Sequence, residues 1–323
     1  MISVVIRTYN EARHLEELLK AIQSQQPVFQ DQSAQDKVLP IEIVLVDSGS
    51  TDRTLEIAKR NGVRITYIDK SQFTFGRSLN RGCEAASGDI LVFVSGHCIP
   101  ASNQWLSNLV SPLLRGACDY TYGRQIGKGR TKFSESRLFE KYFPQHSNIP
   151  QSGWFCNNAN AAITRVTWQR HQFDESLTGL EDLFLGQQLL ASDGRIGYVA
   201  DATVYHLHDE SWRQIRIRYE RESFAMQRIL PEVHFGLRDL VRCVLSGIFG
   251  DLGASFKLGL LSKVWLSVIF FRWNQYYGVY RGNHKHRMLS NKMKMRYYYP
   301  TVTAGEAIYD EKKNHRISPA ESK

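Results

Sequence analysis

The chain predicts an α/β protein built on a mostly parallel sheet, followed by a helical and basic region. Apolar runs without polar alternation recur at 2–6, 41–46, 65–68 and 89–94, as in strands buried on both faces. Helical periodicity fills the gaps between them, the rhythm of right-handed crossovers. Charge is also segregated. Residues 211–300 hold 16 Lys/Arg against 5 Asp/Glu, an excess of +11 where the whole chain carries +9, so the remainder sums to −2.

Each element follows from its neighbours. The opening MISVVIRTYNEA carries Arg7 and Asn10 after a short apolar run, so it reads as a strand and not as a secretory signal. A helix follows from Glu11 to Ser24. The polar connection PVFQDQSAQDKVLP reads as a solvated insertion. After the second strand comes a helix from Thr51 to Asn61, with Asp52 near its start and Gly62 past its end. A third helix from Gly76 to Ala86 leads to the fourth strand.

Composition narrows the class. With 323 residues, 42% hydrophobic and 23% charged, the chain buries a sizeable core in one large or two smaller domains and is not disordered. Its five scattered cysteines show no Cys-x-x-Cys spacing, against a disulfide framework or structural zinc and in favour of a reducing, cytoplasmic location.

In parallel sheets ligands bind beyond the carboxyl ends of the strands. The residues there are Thr8-Tyr9-Asn10-Glu11, Asp47-Ser48-Gly49-Ser50-Thr51-Asp52 and Ser95-Gly96-His97, all polar and small enough to admit a ligand. Neither a GxGxxG after the first strand nor a GxxxxGK[ST] occurs, so a dinucleotide site and a P-loop are not supported. Asp47 reads as a charged acceptor for a base edge or ribose hydroxyl, with helix capping left to Ser50 or Asp52. Glu11 serves equally as the first-turn acid of its helix. Downstream, Glu181-Asp182 precedes an apolar-periodic run; an acid at the mouth of a helix can activate a hydroxyl, although first-turn acids are also ordinary helix chemistry.

The blocks VVIRTYNEARHLEELL, VLVDSGSTDRTLEIA, FGRSLNRGCEAASGDILVFVSGHCIP, NNANAAITRVTW and GLEDLFLGQQLL, in that order over residues 1–211, resemble glycosyltransferase family 2. The resemblance implies a GT-A fold, with a nucleotide-sugar half at about 1–125 and an acceptor half at about 126–211, and inverting transfer. It places Thr8, Asn10, Glu11 and Asp47 in the nucleoside pocket, with Tyr9 and Ser50 beside them, and makes Asp182 the base, Glu181 raising its pKa or orienting the acceptor. Arg77 and Asn80 become candidates for the diphosphate, against a reading of Arg77 as an exposed helix residue. Trp154 and Asn158 suit stacking on a sugar and bonding its hydroxyls, or equally core packing and turn formation.

The departure lies at Ser95-Gly96-His97, where the family carries Asp-x-Asp and holds a divalent metal, manganese or magnesium. An imidazole there implies weaker, pH-sensitive metal binding. His206 and His208 alternate onto one face, and His97 with His208 is the expected ligand pair; alternatively one histidine packs and the other bonds near Asp209-Glu210-Ser211. Without a metal, Arg77 or the cluster Arg213, Arg216, Arg218 and Arg221 offsets the leaving group's charge. The stretch Gly123–Phe133, with three glycines and four basic residues, reads as a loop over an acidic ligand.

Residues 212–300 form the expected helical extension and 301–323 a frayed tail. The apolar stretch 258–271 is short and interrupted by Lys263, so it reads as a buried or interfacial helix and not a spanning one. Arg272, Trp273, Tyr276, Tyr277, Tyr280 and the basic run to Tyr299 point first to an anionic membrane surface, then to a homo-oligomer contact, and last to nucleic acid, which no recognised motif supports. The expected function is transfer of a sugar from a nucleoside-diphosphate donor to a saccharide or lipid-linked saccharide, in surface polysaccharide assembly at the cytosolic face of a membrane. A nucleotidyltransferase lacks its phosphate loop and paired metal-binding acids here. A decayed nucleotide-sugar or glycan-binding protein is favoured only by the missing Asp-x-Asp.

Overall fold

The computed structural model describes residues 1–30, 36–285 and 291–300. Its first half runs β1 (Ile2–Thr8), α1 (Ala12–Gln23), β2 (Val28–Gln30), β3 (Asp36–Val38), β4 (Ile41–Asp47), α2 (Thr54–Arg60), β5 (Arg64–Tyr67), α3 (Phe75–Ala85) and β6 (Ile90–Ser95). The crossovers give a parallel block in the order β5-β4-β1-β6, as the continuous apolar runs require, although β5, expected to be buried on both faces, lies at the sheet edge and is partly exposed. The polar insertion is more ordered than expected. Its ends pair as a two-stranded hairpin, β2 with β3, with Val28 opposite Val38.

The second half adds β7 (Cys98–Pro100), α4 (Trp105–Leu114), β8 (Tyr120–Gly127), α5 (Phe133–Tyr142), β9 (Asn160–Thr164), α6 (Arg165–Arg170), α7 (Glu181–Ala191) and β10 (Ile196–His206). Antiparallel β9 joins β6 to β8, β10 lies parallel to β8, and β7 closes the edge antiparallel to β10, so one mixed sheet has eight strands. Both of its faces are covered. Val4, Ile6 and Leu45 pack with Leu15, Leu18 and Leu19 of α1 and Trp105 of α4. Val5, Val44 and Phe93 pack on the other side with Leu79 of α3 and Leu185 of α7. Each fully buried leucine contributes about 1.5–3 kcal/mol, so the strand ends between these layers are held on a rigid frame.

The C-terminal part is helical: α8 (Trp212–Ile229), α9 (Leu237–Lys257), α10 (Leu261–Asn283) and the short α11 (Asn291–Tyr298). Ser211 starts α8 with a capping box: its hydroxyl accepts from the Gln214 N–H while Gln214 accepts from the Ser211 N–H. Several of the basic residues here are paired with buried acids. Arg272 is buried in a bidentate pair with Asp251, at 2.8 and 2.9 Å, and fully buried Glu220 gathers Arg281, Lys285 and Arg296. Tyr298 then packs on Phe73 and Phe75, and Tyr299 edges onto Tyr9 with centroids 4.5 Å apart. Within the expected membrane-facing run from Arg272 to Tyr299, Arg272, Tyr297 and Tyr299 are thus internal, while Trp273 stays 48% exposed. Among the described residues no helix is long and apolar enough to cross a membrane. The tail from 301 lies outside the described residues.

Candidate active site

The turns after β1 and β4 are knitted together by side chains. Asp47, 1% exposed, accepts the Gly49 and Ser50 N–H groups at 2.8 and 2.9 Å through one carboxylate oxygen, and the Ser50 and Thr8 hydroxyls through the other. Asn10 takes a left-handed φ of 57°, which its short amide tolerates, and its Oδ1 accepts from the Thr51 and Asp52 N–H groups. Asp52 caps α2 by accepting from the Thr54 N–H and also reaches the Ala12 N–H. Of the two residues expected to cap, Asp52 makes the bond to the first turn of α2, while the Asp47 carboxylate shapes the loop before it. Tyr9 lies against Tyr299, with the Lys70 ammonium 5.0 Å from its ring centroid.

Glu11 reaches across to the third turn. Its carboxylate meets His97 Nδ1 at 2.8 Å, and Gly96 permits that approach, since a Cβ there would stand 2.8 Å from Glu11 Cγ. The β7–β10 pairing sets His206 opposite Cys98, and the Leu207 N–H donates to the His97 carbonyl at 3.0 Å. His97, His206 and His208 then each offer a ring nitrogen within 4.8 Å of the others. Every Nδ1 is held by an oxygen: Glu11 for His97, Gln125 for His206 at 2.6 Å and Glu135 for His208 at 2.7 Å. This is the arrangement by which outer partners orient metal-binding imidazoles.

His206, only 8% exposed, keeps a buried Nε2 with no hydrogen-bond partner. Burial, then the neighbouring His208 and His97, hold its pKa well below the ordinary value, so it stays neutral. Burial pulls His97 down too, but the Glu11 charge and hydrogen bond outweigh it and the net shift is upward. Burial would raise Glu135, yet Arg218 and His208 bring it down to about 2. Arg218 also ties Glu135 to Glu210.

The acidic pair opens α7 from a strained residue. Leu180 sits at φ 59°, ψ 27°, a left-handed conformation that costs a side chain such as leucine about 1–2 kcal/mol and aims the two acids inward. Glu181 pairs with Arg7 at 3.2 Å. Asp182 is 8% exposed and accepts the Asn158 N–H at 3.0 Å and the Leu183 N–H at 2.9 Å. The next residue, Ala159, accepts the Ser95 N–H, which ties the acid to the end of β6. Burial first, then the Glu181 charge, push Asp182 up to about 7, against the two amides and Arg7. The Arg7 charge also acts on His97, so the acid pair and the histidines share one corner of the sheet.

Other expected residues lie elsewhere. Arg77 is committed to Glu175 at 2.7 Å and to the Gln72 carbonyl. Asn80 is buried, its amide donating to Phe173 O and Glu175 and accepting from Trp168 Nε1 and the Phe173 N–H. All four hydrogen-bonding positions of Asn80 are filled, which leaves none for a diphosphate. The Asn158 side chain is likewise buried, accepting from the Tyr120 hydroxyl at 2.7 Å; its backbone holds Asp182. Trp154 is half-buried, and the Gly186 backbone packs against its carbonyl. Arg213 reaches the Pro300 carbonyl, while Arg221 lies 4.6 Å over the Phe75 ring, which Arg7 also covers at 5.0 Å.

The first part of the expected loop Gly123–Phe133, through Gly127, is strand β8. The remainder sits beside a cavity of about 260 Å³ bordered by Arg13, Lys128, Arg130, His208 and Asp209. Arg7, Gln125 and Glu135 are the functional neighbours that sequence reasoning missed. Arg7 lay in the first block and was given no role at the site; Gln125 and Glu135 carry no motif, and the pairing of β8 with β10 brings Gln125 to His206 while α5 brings Glu135 to His208.

Comparison with known proteins gives this corner a chemical context. The chain is 25% identical over 234 residues to O-antigen chain rhamnosyltransferase RfbN of Salmonella typhimurium, covering 68% of this chain and 70% of that one. It is 27% identical over 202 residues to O-antigen chain rhamnosyltransferase WbaN of Salmonella anatum, covering 59% and 63%. Its fold matches the mannosyltransferase PcManGT of Pyrobaculum calidifontis, solved in complex with GDP-Man and Mn2+, with a TM-score of 0.55 at 14% identity over 93% of this chain and 88% of that one. This is the mixed, helix-flanked sheet of the GT-A kind. The model of glycosyl transferase family 2 matches residues 3–170, more than half of the chain, and the chain is a glycosyltransferase belonging to that family.

Proposed function

We propose that this glycosyltransferase moves a sugar from a nucleoside diphosphate to a hydroxyl of a saccharide or lipid-linked saccharide, with inversion, and that Asp182 is the general base. One observation carries the reading: a buried carboxylate whose pKa lies near 7 is fixed by two backbone N–H groups at the ligand edge of the sheet. Such a group holds a proton strongly enough to take it from a hydroxyl while remaining substantially ionised at neutral pH. As the acceptor oxygen bonds to the anomeric carbon, its proton passes to Asp182, and the opposite C–O bond breaks with its electron pair leaving on the diphosphate. Arg7 and Arg221, both against the Phe75 ring, supply positive charge beside the acids.

The histidine cluster fits a divalent cation, because His206 is neutral and its buried Nε2 lacks a partner. His97, His206 and His208 would hold the ion, which when bound supplies positive charge to the diphosphate. Ser95-Gly96-His97 stands where the family carries Asp-x-Asp, and three nitrogens favour manganese over magnesium. The complex of the mannosyltransferase relative supports a nucleotide-sugar donor with manganese. The two O-antigen rhamnosyltransferases support a setting in surface polysaccharide synthesis. In this reading residues 1–211 form the catalytic unit and 212–300 a helical extension packed on it.

The test is nucleoside-diphosphate release from a panel of nucleotide sugars, with and without manganese or magnesium. Release that is lost in Asp182→Asn while the fold is retained supports the proposal. Tight nucleotide-sugar binding with no release, even with acceptor extracts, overturns it in favour of a binding protein.

A further inference from the structure

The hairpin of α9 and α10 ends in a tip that carries large apolar side chains outward. Phe256 is 73% exposed, Leu258 63%, and Trp265 and Leu266 about half. The turn is made by Gly259 at φ 65°, a conformation in which a larger residue would be strained. Between the apolar side chains stand exposed Lys257 and Lys263. No Asp or Glu occurs anywhere from Leu252 to Pro300, so the tip has no acid of its own to answer that charge.

We propose that this tip is a docking element for an anionic lipid surface. Aromatic and aliphatic side chains flanked by lysines suit the boundary of a bilayer, where rings and chains enter the acyl layer and ammonium groups remain among the headgroups. The absence of acids argues against a second copy of the chain as occupant, because two such tips would meet with like charge. The docking surface is thus the α9–α10 tip; in the longer basic run behind it Arg272 is paired with Asp251, and Arg281 and Arg296 with Glu220.

The tip also connects to the site. Along α10 the exposed row continues to Phe270, which stacks on Trp212 with centroids 5.7 Å apart. The Lys132 ammonium lies 4.9 Å from the Trp212 ring centroid and bonds the Glu210 carbonyl, two residues beyond His208. A bilayer seated on the tip therefore lies along the flank of the catalytic corner. This step rests on the proposed function only in taking the acceptor to be lipid-linked.

Flotation of the full chain with vesicles, without donor, tests the proposal. Vesicles of equal parts phosphatidylcholine and phosphatidylglycerol are expected to carry the protein, phosphatidylcholine alone far less. The reversal Lys257→Glu/Lys263→Glu is expected to weaken binding at least about tenfold, and Phe256→Ser/Leu258→Ser on the order of tenfold, with unchanged circular dichroism and unchanged donor hydrolysis in vesicle-free solution. No flotation with either composition, or equal flotation of the variants, overturns the proposal. So does a wild-type dimer in sedimentation velocity that Phe256→Ser/Leu258→Ser dissolves, since it assigns the tip to self-association. Loss of donor hydrolysis in the wild type refutes the catalytic reading and leaves the flotation result standing.

Discussion

Asp182 and Glu135 are both buried acids at the ligand edge of the sheet, and they ionise in opposite senses. Asp182 stands beside another acid, and burial with the Glu181 charge lifts it to about 7. Glu135 is no more exposed, yet Arg218 and His208 overcome burial and bring it to about 2. Burial alone therefore does not select a base; the neighbouring charge does. The first acid keeps an affinity for protons that catalysis can use. The second is permanently charged and serves to orient His208.

The largest effect expected from this contrast is on turnover. Asp182→Asn should reduce kcat/KM by roughly 10²–10⁴-fold, the range for removing a general base. In the wild type kcat/KM should rise with pH through about 7 as Asp182 ionises, and the residual activity of the variant should lose that limb. A pH–rate profile checks both. A variant that keeps the same limb would assign the base to another group.

Glu135→Gln should act on stability. Removing the carboxylate leaves buried Arg218 with Glu210 as its remaining partner, and breaking a buried pair costs about 3 kcal/mol. The sign with pH follows from the lowered pKa. The wild-type contribution is full above the unfolded value near 4.5 and is lost as pH falls toward about 2. Asp182 works the other way: its raised pKa contributes stability below about 4, and this is lost as pH rises through about 7. Denaturant midpoints measured across pH 2–8 should therefore converge between wild type and Glu135→Gln in acid, and shift toward Asp182→Asn above neutrality.

A smaller pair of changes tests the neighbour argument directly. Glu181→Gln removes the charge that holds Asp182 up and should move the acid limb of the pH–rate profile to lower pH. Arg7→Met removes an opposing charge and should move it higher. Shifts in the same direction would mean that packing, and not charge, sets the acid.

How much of this was readable beforehand depends on whether a feature is local. The buried parallel strands β1, β4 and β6 and their polar ends are written in continuous apolar runs, and the Glu181-Asp182 pair lies within one block, so both were legible; β5 is a strand as its run reads, but at the sheet edge it is not buried. The antiparallel strand β9 and the edge strand β7 were not, because pairing partners are far apart in sequence. The histidine shell shows the same limit. His97 and His208 were chosen by motif and alternation, but His206 is the buried member, and Gln125 reaches it only through the pairing of β8 with β10, as Glu135 reaches His208 only from α5. Charge was the least reliable guide: 16 basic residues in 211–300 read as surface, while Arg218, Arg272 and the partners of Glu220 are structural.

Arg77 is the smallest and sharpest test of that last lesson. It follows Phe75-Gly76 in a family block, so motif reasoning sends it to the diphosphate, whereas geometry places its guanidinium on Glu175 and the Gln72 carbonyl. Both members of the ion pair are more than a third exposed, and such pairs contribute about 0–1 kcal/mol. Arg77→Ala should accordingly change the unfolding midpoint little and leave the donor KM within about twofold of wild type. A donor KM raised by about tenfold or more, equivalent to 1.4 kcal/mol, would mean that Arg77 leaves Glu175 when the donor arrives. The diphosphate would then be gripped from the α3 side as well as from Arg7 and Arg221.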